Sequence, residues 1–228
     1  ATGERRIRVI TTAVPTTTNL SEVYASADQL AIAAFMANKA VEKSLHARLD
    51  DARAMIRTRI ADIFTAYRTT MTNTRGGNAA HLTIASNLSL LPLLALGLLR
   101  NRSIRIGTQI PSDVRAYHQT LLTTLPVQRL IPFLLPVFYS LHNMPPDAGT
   151  IDMSTQCLIM PPRLNLSSER FERHGLYLIE DGMSVFLWLG RAAVPALTMD
   201  VFGAPDYASL QSGPIVLPEL ENSMSQRL

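Results

Sequence analysis

The spacing of apolar residues changes once along this chain, and that change limits the folds open to it. From about residue 26 to residue 142 the apolar positions recur every three or four residues, which is typical of amphipathic helices. Beyond the Pro145-Pro146 dipeptide they form short runs separated by turn residues. The charge balance changes at the same place: residues 1–143 carry 16 Lys and Arg against 8 Asp and Glu, whereas residues 144–228 carry 5 against 10. These patterns predict a basic helical module followed by an acidic mixed module.

Five helices are predicted in the helical module. The first begins at a capping box, in which Ser26 and Gln29 each accept a hydrogen bond from a free backbone amide. The second runs over about 49–71, with apolar side chains on one face and charged ones on the other, and a loop at 75–78 ends it. The other three are expected at about 89–100, 112–124 and 126–141. The two prolines inside the last of these are expected to kink or break it.

The acidic module contains a strong β-hairpin signal. Asp181-Gly182 separates two apolar runs, 175–180 and 183–189, and this dipeptide favours a tight hairpin turn. Because both runs are almost entirely apolar, the hairpin is expected to be buried in the middle of a sheet, with Trp188 in the core. A helix is expected to follow from Pro195 and to end at Gly203.

The two ends of the sequence are expected to depend on residues that are not in it. Within residues 4–14 apolar and charged side chains alternate, and Pro15 ends the stretch, which predicts one strand. A lone strand is unstable in water, so its partners are expected in a longer protein. Near the other end, the apolar run 215–217 is expected to be exposed for want of a covering element.

The sequence carries no recognised catalytic motif. It has no Gly-rich phosphate loop and no HExxH, CxxC or GxSxG pattern. The five histidines, at positions 46, 81, 118, 142 and 174, are not at zinc-ligand spacing from one another or from Cys157. Cys157 lies beside apolar neighbours and is expected to be a small buried residue. The sequence therefore predicts a protein that is not an enzyme and has no cofactor in this segment.

The densest basic loop contains Arg100, Arg102 and Arg105, which are a candidate contact with an anionic membrane surface. The alternative is that these side chains only complement the carboxyl end of a helix. No aromatic residues alternate with the arginines, so binding of single-stranded nucleic acid is not expected.

Several segments together resemble one known family. The segments 24–28, 40–45, 50–53, 86–93 and Tyr139-Ser-Leu-His-Asn143 are similar to the helical domain of the cargo-adaptor subunit of the COPII vesicle coat. The segments 166–169, Gly175-Leu-Tyr-Leu-Ile179, 188–190 and 217–220 resemble the gelsolin-like domain of that family. The matches occur in the same order along nearly the whole chain.

The resemblance implies an α+β multidomain fragment. Residues 1–18 would end a β-sandwich domain, residues 19–144 would form an all-α helical domain, and residues 145–228 would form a gelsolin-like α/β domain that is expected to be incomplete. The implied role is that of an adaptor in transport from the endoplasmic reticulum to the Golgi, which recognises cytosolic export signals of cargo and supports coat assembly. Zinc is expected in an upstream domain of the family and not in this segment.

The resemblance also implies the partners and the location. The partners would be the paralogous inner-coat subunit, in a heterodimer, cargo sorting signals and an anionic membrane, but no nucleic acid. The protein would be cytoplasmic and peripheral on the endoplasmic reticulum membrane and on COPII vesicles. A peptide groove is most plausible where two modules meet, because two rigid walls are then available. Its candidate residues are Met160, Pro161, Pro162 and Arg163.

Two other functions remain open from the sequence. An actin-regulating module would share the gelsolin-like fold, but severing activity would require several repeats and calcium-binding carboxylates. The acidic pair Glu180-Asp181 is already explained by the hairpin turn. A catalytic or regulatory domain of an enzyme would require a convergent cluster of polar side chains.

Overall fold

The computed structural model of the chain describes residues 3, 7, 9–75, 84–106 and 109–228, without the side chains of residues 71–75. The loop predicted at 75–78 lies outside the described residues beyond Arg75. Within the described residues no helix is both long enough and apolar enough to cross a membrane.

Six α-helices make up the first part of the chain. They are α1 (Leu20–Ser26), α2 (Gln29–His46), α3 (Leu49–Arg75), α4 (Leu91–Arg100), α5 (Ser112–Thr124) and α6 (Val127–Leu134). Helix α2 is central and contacts α3, α4, α5 and α6. Its fully buried Ala37 and Ala40 lie in a core with Ile56 of α3 and Leu91 and Leu98 of α4. Small side chains on α2 allow its neighbours to pack closely around it.

The capping box predicted for α2 is wrong. Asp28 is the capping residue, and its Oδ1 accepts a hydrogen bond from Leu30 N at 2.8 Å. Ser26 is instead the last residue of α1. The Gln29 side chain does not turn back on its own helix, because its Oε1 accepts a hydrogen bond from Leu90 N at 2.9 Å. Gln29 therefore joins the start of α2 to the start of α4.

The helix predicted over 126–141 ends at Leu134, and a strand follows it. Strand β1 (Val137–Ser140) pairs with β2 (Leu176–Glu180), which pairs with β3 (Val185–Leu189), and both pairings are antiparallel. Pro132 is tolerated inside α6, whereas Pro136 follows its end and cannot extend it. The sheet thus includes residues from before the Pro145-Pro146 dipeptide. The domain limits at 18 and 144 stay predictions.

The predicted hairpin is confirmed, but its second strand is not buried. Asp181 Oδ1 accepts hydrogen bonds from Met183 N and Ser184 N, and Gly182 adopts a φ of 79°. Strand β2 is central, whereas β3 is an edge strand that exposes Val185 and Phe186. Trp188 is 37% exposed, so its assignment to the core is wrong.

The two faces of the sheet differ in character. On one face Leu176, Leu187 and Leu189 pack against α7 (Pro195–Phe202), which ends at Gly203 with a φ of 65° as predicted. The opposite face is aromatic and contains Phe138, Tyr177 and Trp188, with Phe171 packed on them. The hairpin turn lies on α6, where a Cβ on Gly182 would collide with the Arg129 carbonyl oxygen.

The two end segments differ from regular elements. The described residues 9–17 form no strand, and Ile7, Val9, Ile10 and Val14 are exposed. Their assignment to a β-sandwich stays a prediction. Val216 is 93% exposed, as expected, whereas Leu217 is partly buried against the core that contains Val201 of α7. The predicted fold class, a helical part followed by a small mixed domain, is confirmed.

Candidate functional site: a groove beside strand β1

A groove of about 260 Å³ opens on the aromatic face of the sheet, at the end of β1. Pro161 and Pro162 line it together with residues of β1, of the turn before β2 and of β2 itself. Of the four residues predicted to form a peptide groove, these two prolines line the cavity. Met160 and Arg163 lie outside its lining and are exposed.

The segment 161–164 forms one wall because it runs along the free edge of β1. Leu164 N donates to Phe138 O at 2.8 Å, and Arg163 forms an isolated antiparallel bridge with Tyr139. Prolines are compatible with such an edge because they supply no amide hydrogen to a neighbouring strand. Pro161 is buried by this arrangement, and Pro162 remains exposed.

Tyr177 holds the opposite wall in place. Its hydroxyl donates to Arg170 O at 2.7 Å and accepts from Glu172 N at 2.8 Å. Its ring stacks on Phe138 with centroids 5.0 Å apart, and the ring of Phe171 lies 5.2 Å away. A buried tyrosine with a satisfied hydroxyl therefore links the aromatic core to the backbone at the groove mouth.

His142 and Glu172 line the polar end of the groove, and His174 contacts Glu172 from outside the lining. Glu172 Oε2 lies 3.1 Å from Nε2 of both histidines. The Nδ1 atom of His142 lies 3.1 Å from the Ser140 hydroxyl and from Leu176 N, and 3.2 Å from Leu176 O. The side chain of His142 is only 9% exposed, whereas those of Glu172 and His174 are 50% and 61% exposed.

Gly175 makes room for this arrangement. A Cβ at Gly175 would lie 2.6 Å from Tyr177 Cε2 and 2.8 Å from His142 Cε1, closer than any side chain tolerates. Gly175 N also donates to Glu172 O at 2.9 Å, which closes the turn that carries Glu172 and His174. The glycine therefore allows the turn and the His142 ring to occupy adjacent positions.

The three residues are far apart in the sequence, so their spacing does not predict this cluster. The antiparallel register of β1 and β2 explains why these residues meet. Val137 pairs with Glu180 and Ser140 with Tyr177, so each step forward along β1 is a step back along β2. Continuing two residues beyond Ser140 places His142 opposite Gly175. The signal could be read only once residues 137–140 were recognised as a strand.

The basic loop after α4 presents its three arginines outward. Arg100, Arg102 and Arg105 are exposed, and within the described residues none of their guanidinium groups donates a hydrogen bond. The loop carbonyls are bound instead by Arg53 of α3 and Arg115 of α5. The exposed arginines are compatible with the predicted basic surface on this loop. Binding of this loop to a membrane stays a prediction.

Two arginines from different helices anchor the loop through its carbonyl oxygens. Arg115 Nη1 donates to the carbonyl oxygens of Arg102, Ser103 and Arg105 at 3.0–3.3 Å. Arg53 Nη1 donates to Leu99 O and Ile104 O. Burial, with the nearby charge of Arg57, lowers the pKa of the Arg53 guanidinium from its usual value.

Cys157 is exposed, so its predicted burial is wrong. It lies in a protruding loop in which Ile151 and Leu158 form an isolated bridge and Asp152 N donates to Cys157 O at 2.9 Å. Asp152 accepts hydrogen bonds from Ser154 and Thr155, which lower the pKa of its carboxyl. The apolar neighbours of Cys157 thus pair within a small exposed loop.

Comparison with known families agrees with the two-part organisation. Residues 28–132 match the family described as the Sec23/Sec24 helical domain, and residues 158–228 match the gelsolin repeat. The first match covers α2 to α5 and most of α6, and the second covers β2, β3 and α7. Strand β1 lies between the two matched ranges.

Individual proteins show the same relationship over nearly the whole chain. The chain is 49% identical over 226 residues to protein transport protein SEC24 of Chaetomium globosum, which covers 99% of this chain and 24% of the relative. The corresponding protein of Pyricularia oryzae is 48% identical over 226 residues, covering 99% of this chain and 23% of the relative. The chain thus spans about a quarter of the length of the relatives it matches.

A solved structure extends the comparison to the fold. The crystal structure of the human COPII-coat protein Sec24c superposes with a TM-score of 0.78 at 26% sequence identity. The superposition covers 92% of this chain and 26% of the human chain. The helical part, the sheet and their order along the chain are therefore shared with a protein of known structure.

Proposed function

Since this chain belongs to the Sec23/Sec24 family, we propose that it is part of a vesicle-coat adaptor for transport from the endoplasmic reticulum to the Golgi. The observation that carries the proposal is the similarity along 99% of the chain to proteins named for protein transport. The related human structure is named a COPII-coat protein. In this role the protein is not an enzyme, and it works with the paralogous inner-coat subunit at the cytosolic face of the membrane.

The groove beside β1 is the proposed contact for cytosolic export signals of cargo. Pro161, Pro162 and Tyr177 give it apolar walls, and Ser140 and Asn143 add polar groups at the same cavity. A short extended peptide needs this combination, because apolar contacts supply affinity while a few polar groups fix its direction. The proposed ligand of the groove is therefore a peptide. The similarity to transport proteins does not favour the alternative of actin binding.

Substitution within a relative tests the coat role directly. In the SEC24 protein of Pyricularia oryzae, the 226 matching residues would be replaced by residues 1–228 of this chain. We expect the chimera to support export of a secretory reporter from the endoplasmic reticulum. A chimera carrying Gly182→Val serves as the control, because its new side chain collides with the backbone of α6 and should abolish export. A chimera that accumulates normally but exports no reporter would contradict the proposal.

The peptide contact requires a separate measurement. Fluorescent export-signal peptides should bind the whole adaptor, and Pro162→Glu should weaken binding at least about fivefold, which corresponds to about 1 kcal/mol. Pro205→Glu is the matched control, because Pro205 is also exposed but lies away from the groove. The isolated chain is expected to bind little. Micromolar binding by residues 1–228 alone, lost on substitutions along 160–163, would instead place a whole site in this segment.

A further inference from the structure

Three side chains of the types that bind metal ions lie close together beside the groove. His142 follows β1, whereas Glu172 and His174 lie in the turn before β2, some 30 residues later. One ligand atom from each of the three lies within 4.8 Å of the others. The two measured nitrogen–oxygen separations, from each Nε2 to Glu172 Oε2, are both 3.1 Å. Two distant parts of the chain are therefore brought to one point.

These distances suit a tetrahedral zinc ion. Zinc binds histidine nitrogen and carboxylate oxygen at about 2.0–2.1 Å, so two ligands of one tetrahedral ion lie about 3.3–3.4 Å apart. The two nitrogen–oxygen separations of 3.1 Å differ from that value by a few tenths of an ångström. The ligand nitrogens of the two histidines lie within 4.8 Å of each other, and side-chain rotation would bring them to the same spacing. Among the described residues, the ion-pair partners of Glu172 are these two histidines, and no Lys or Arg competes for its carboxylate.

The surroundings of His142 also suit a metal ligand. A histidine that binds metal through one nitrogen usually donates its other N–H to a backbone carbonyl or a carboxylate. The Nδ1 atom of His142 lies 3.2 Å from Leu176 O, and Nε2 points to Glu172. Metal binding through Nε2 would select the tautomer that carries its proton on Nδ1 and donates it to Leu176 O, in place of the tautomer in which Leu176 N, 3.1 Å away, donates to Nδ1.

We propose that His142, Glu172 and His174 bind a Zn²⁺ ion, with the fourth position open to the groove and occupied by water. The backbone that carries the ligands is fixed in advance, since Tyr177 binds Glu172 N and Gly175 leaves space for the His142 ring. The rings of His142 and His174 already lie nearly perpendicular, at 85° with centroids 5.7 Å apart. The bound ion would tie the end of β1 to the turn before β2 and would place positive charge at the groove mouth.

This inference is independent of the proposed function, because it depends only on the three side chains and their supports. The experiment uses the complete chain without an affinity tag, in a Cys157→Ser background, so that the exposed thiol does not bind metal. Zn²⁺ affinity would be measured by competition with a chromophoric chelator. Substitution with Co²⁺ would report tetrahedral coordination by its visible absorption.

The test variants are Glu172→Gln and His174→Ala, which alter exposed ligands and so spare the buried His142 and the fold. The matched controls are Glu169→Gln and His46→Ala, which remove an exposed carboxylate and an exposed imidazole outside the cluster. We expect one Zn²⁺ per chain. Loss of an outer-shell partner alone typically costs 10–100-fold in affinity, so each test variant should lose at least about tenfold. The controls should bind as the background does.

The other outcomes overturn the proposal. Absence of stoichiometric Zn²⁺ binding by the background protein would mean that Glu172 only accepts hydrogen bonds from the two imidazoles. Equal affinity in the background and both test variants, or an equal loss in the His46→Ala control, would assign the binding to scattered surface groups. A Co²⁺ complex with the weak spectrum of octahedral coordination would contradict the tetrahedral geometry.

Discussion

Tyr177 connects the aromatic core of the sheet to the groove mouth through a single hydroxyl group. In Tyr177→Phe the ring contacts remain, but the Arg170 carbonyl and the Glu172 amide lose their partner. We expect the free energy of unfolding to fall by about 1–3 kcal/mol, because the two backbone groups are left partly desolvated and unpaired. Urea denaturation would measure the change. Tyr207→Phe is the control, and an equal effect there would show that the Tyr177 hydroxyl contributes nothing specific.

Trp188 and Phe138 lie on the same face of the sheet but differ in burial. Phe138 is 2% exposed, whereas Trp188 is 37% exposed on the edge strand. Phe138→Ala is expected to cost about 3–5 kcal/mol, as for other fully buried aromatic residues. Trp188→Ala should cost less than about 3 kcal/mol, because part of its ring is in water already. Thermal and urea unfolding of the two variants would measure the loss in the free energy of unfolding. Equal losses would contradict the partial burial of Trp188.

The loop after α4 depends on Arg115, which supplies one donor group to three carbonyl oxygens. In Arg115→Met the aliphatic part of the side chain remains and the donors are lost. We expect backbone amides of residues 101–106 to exchange with solvent at least about tenfold faster. Opening of the loop would then cost less free energy, because the bonds from Arg115 to the loop carbonyls are absent. Hydrogen exchange would detect this. Arg105→Met should leave exchange unchanged, because its side chain is not part of the anchor.

At the scale of elements, local patterns predicted α3, α5, α7 and the hairpin, but not the role of each strand. The helix predicted over 126–141 included residues 137–140, which form a strand because they pair with β2. The exposure of β3 could not be predicted from the local pattern either, because an apolar run looks the same in a central strand and in an edge strand. The histidine cluster could not be predicted for the same reason: it requires the register of two strands about 40 residues apart.

The whole molecule carries its positive charge mainly in the helical part, and the exposed loop after α4 concentrates it. Reversal of Arg100, Arg102 and Arg105 to Glu should abolish most binding to anionic vesicles at low salt, because each basic side chain near such a surface contributes about 1 kcal/mol. The control is reversal of Arg163, Arg173 and Arg191 to Glu. These residues are also exposed but lie in the other part of the chain, so both variants have the same net charge. Vesicle flotation would compare the two.

The membrane proposal requires a difference between these two variants. If both lose binding equally, attraction depends on net charge and not on the loop. If the unaltered chain binds neutral and anionic vesicles equally, the basic loop is not a membrane contact. Raising the salt concentration should weaken the specific interaction, since the Debye length shortens from about 10 Å at 0.1 M to about 3 Å at 1 M.

The position of β1 in the chain also affects folding during translation. Its residues pair with partners 37 to 43 positions further along the chain. At a typical rate of 5–20 residues per second, β1 emerges about 2–9 s before β2 exists. Throughout that interval Phe138 and Tyr139, both buried in the finished protein, lack their partners in β2, and among the described residues only the segment 161–164 can pair with β1 before β2 emerges. In those few seconds on the ribosome β1 is therefore open to wrong pairing, because a neighbouring nascent chain can offer it a strand edge before β2 does.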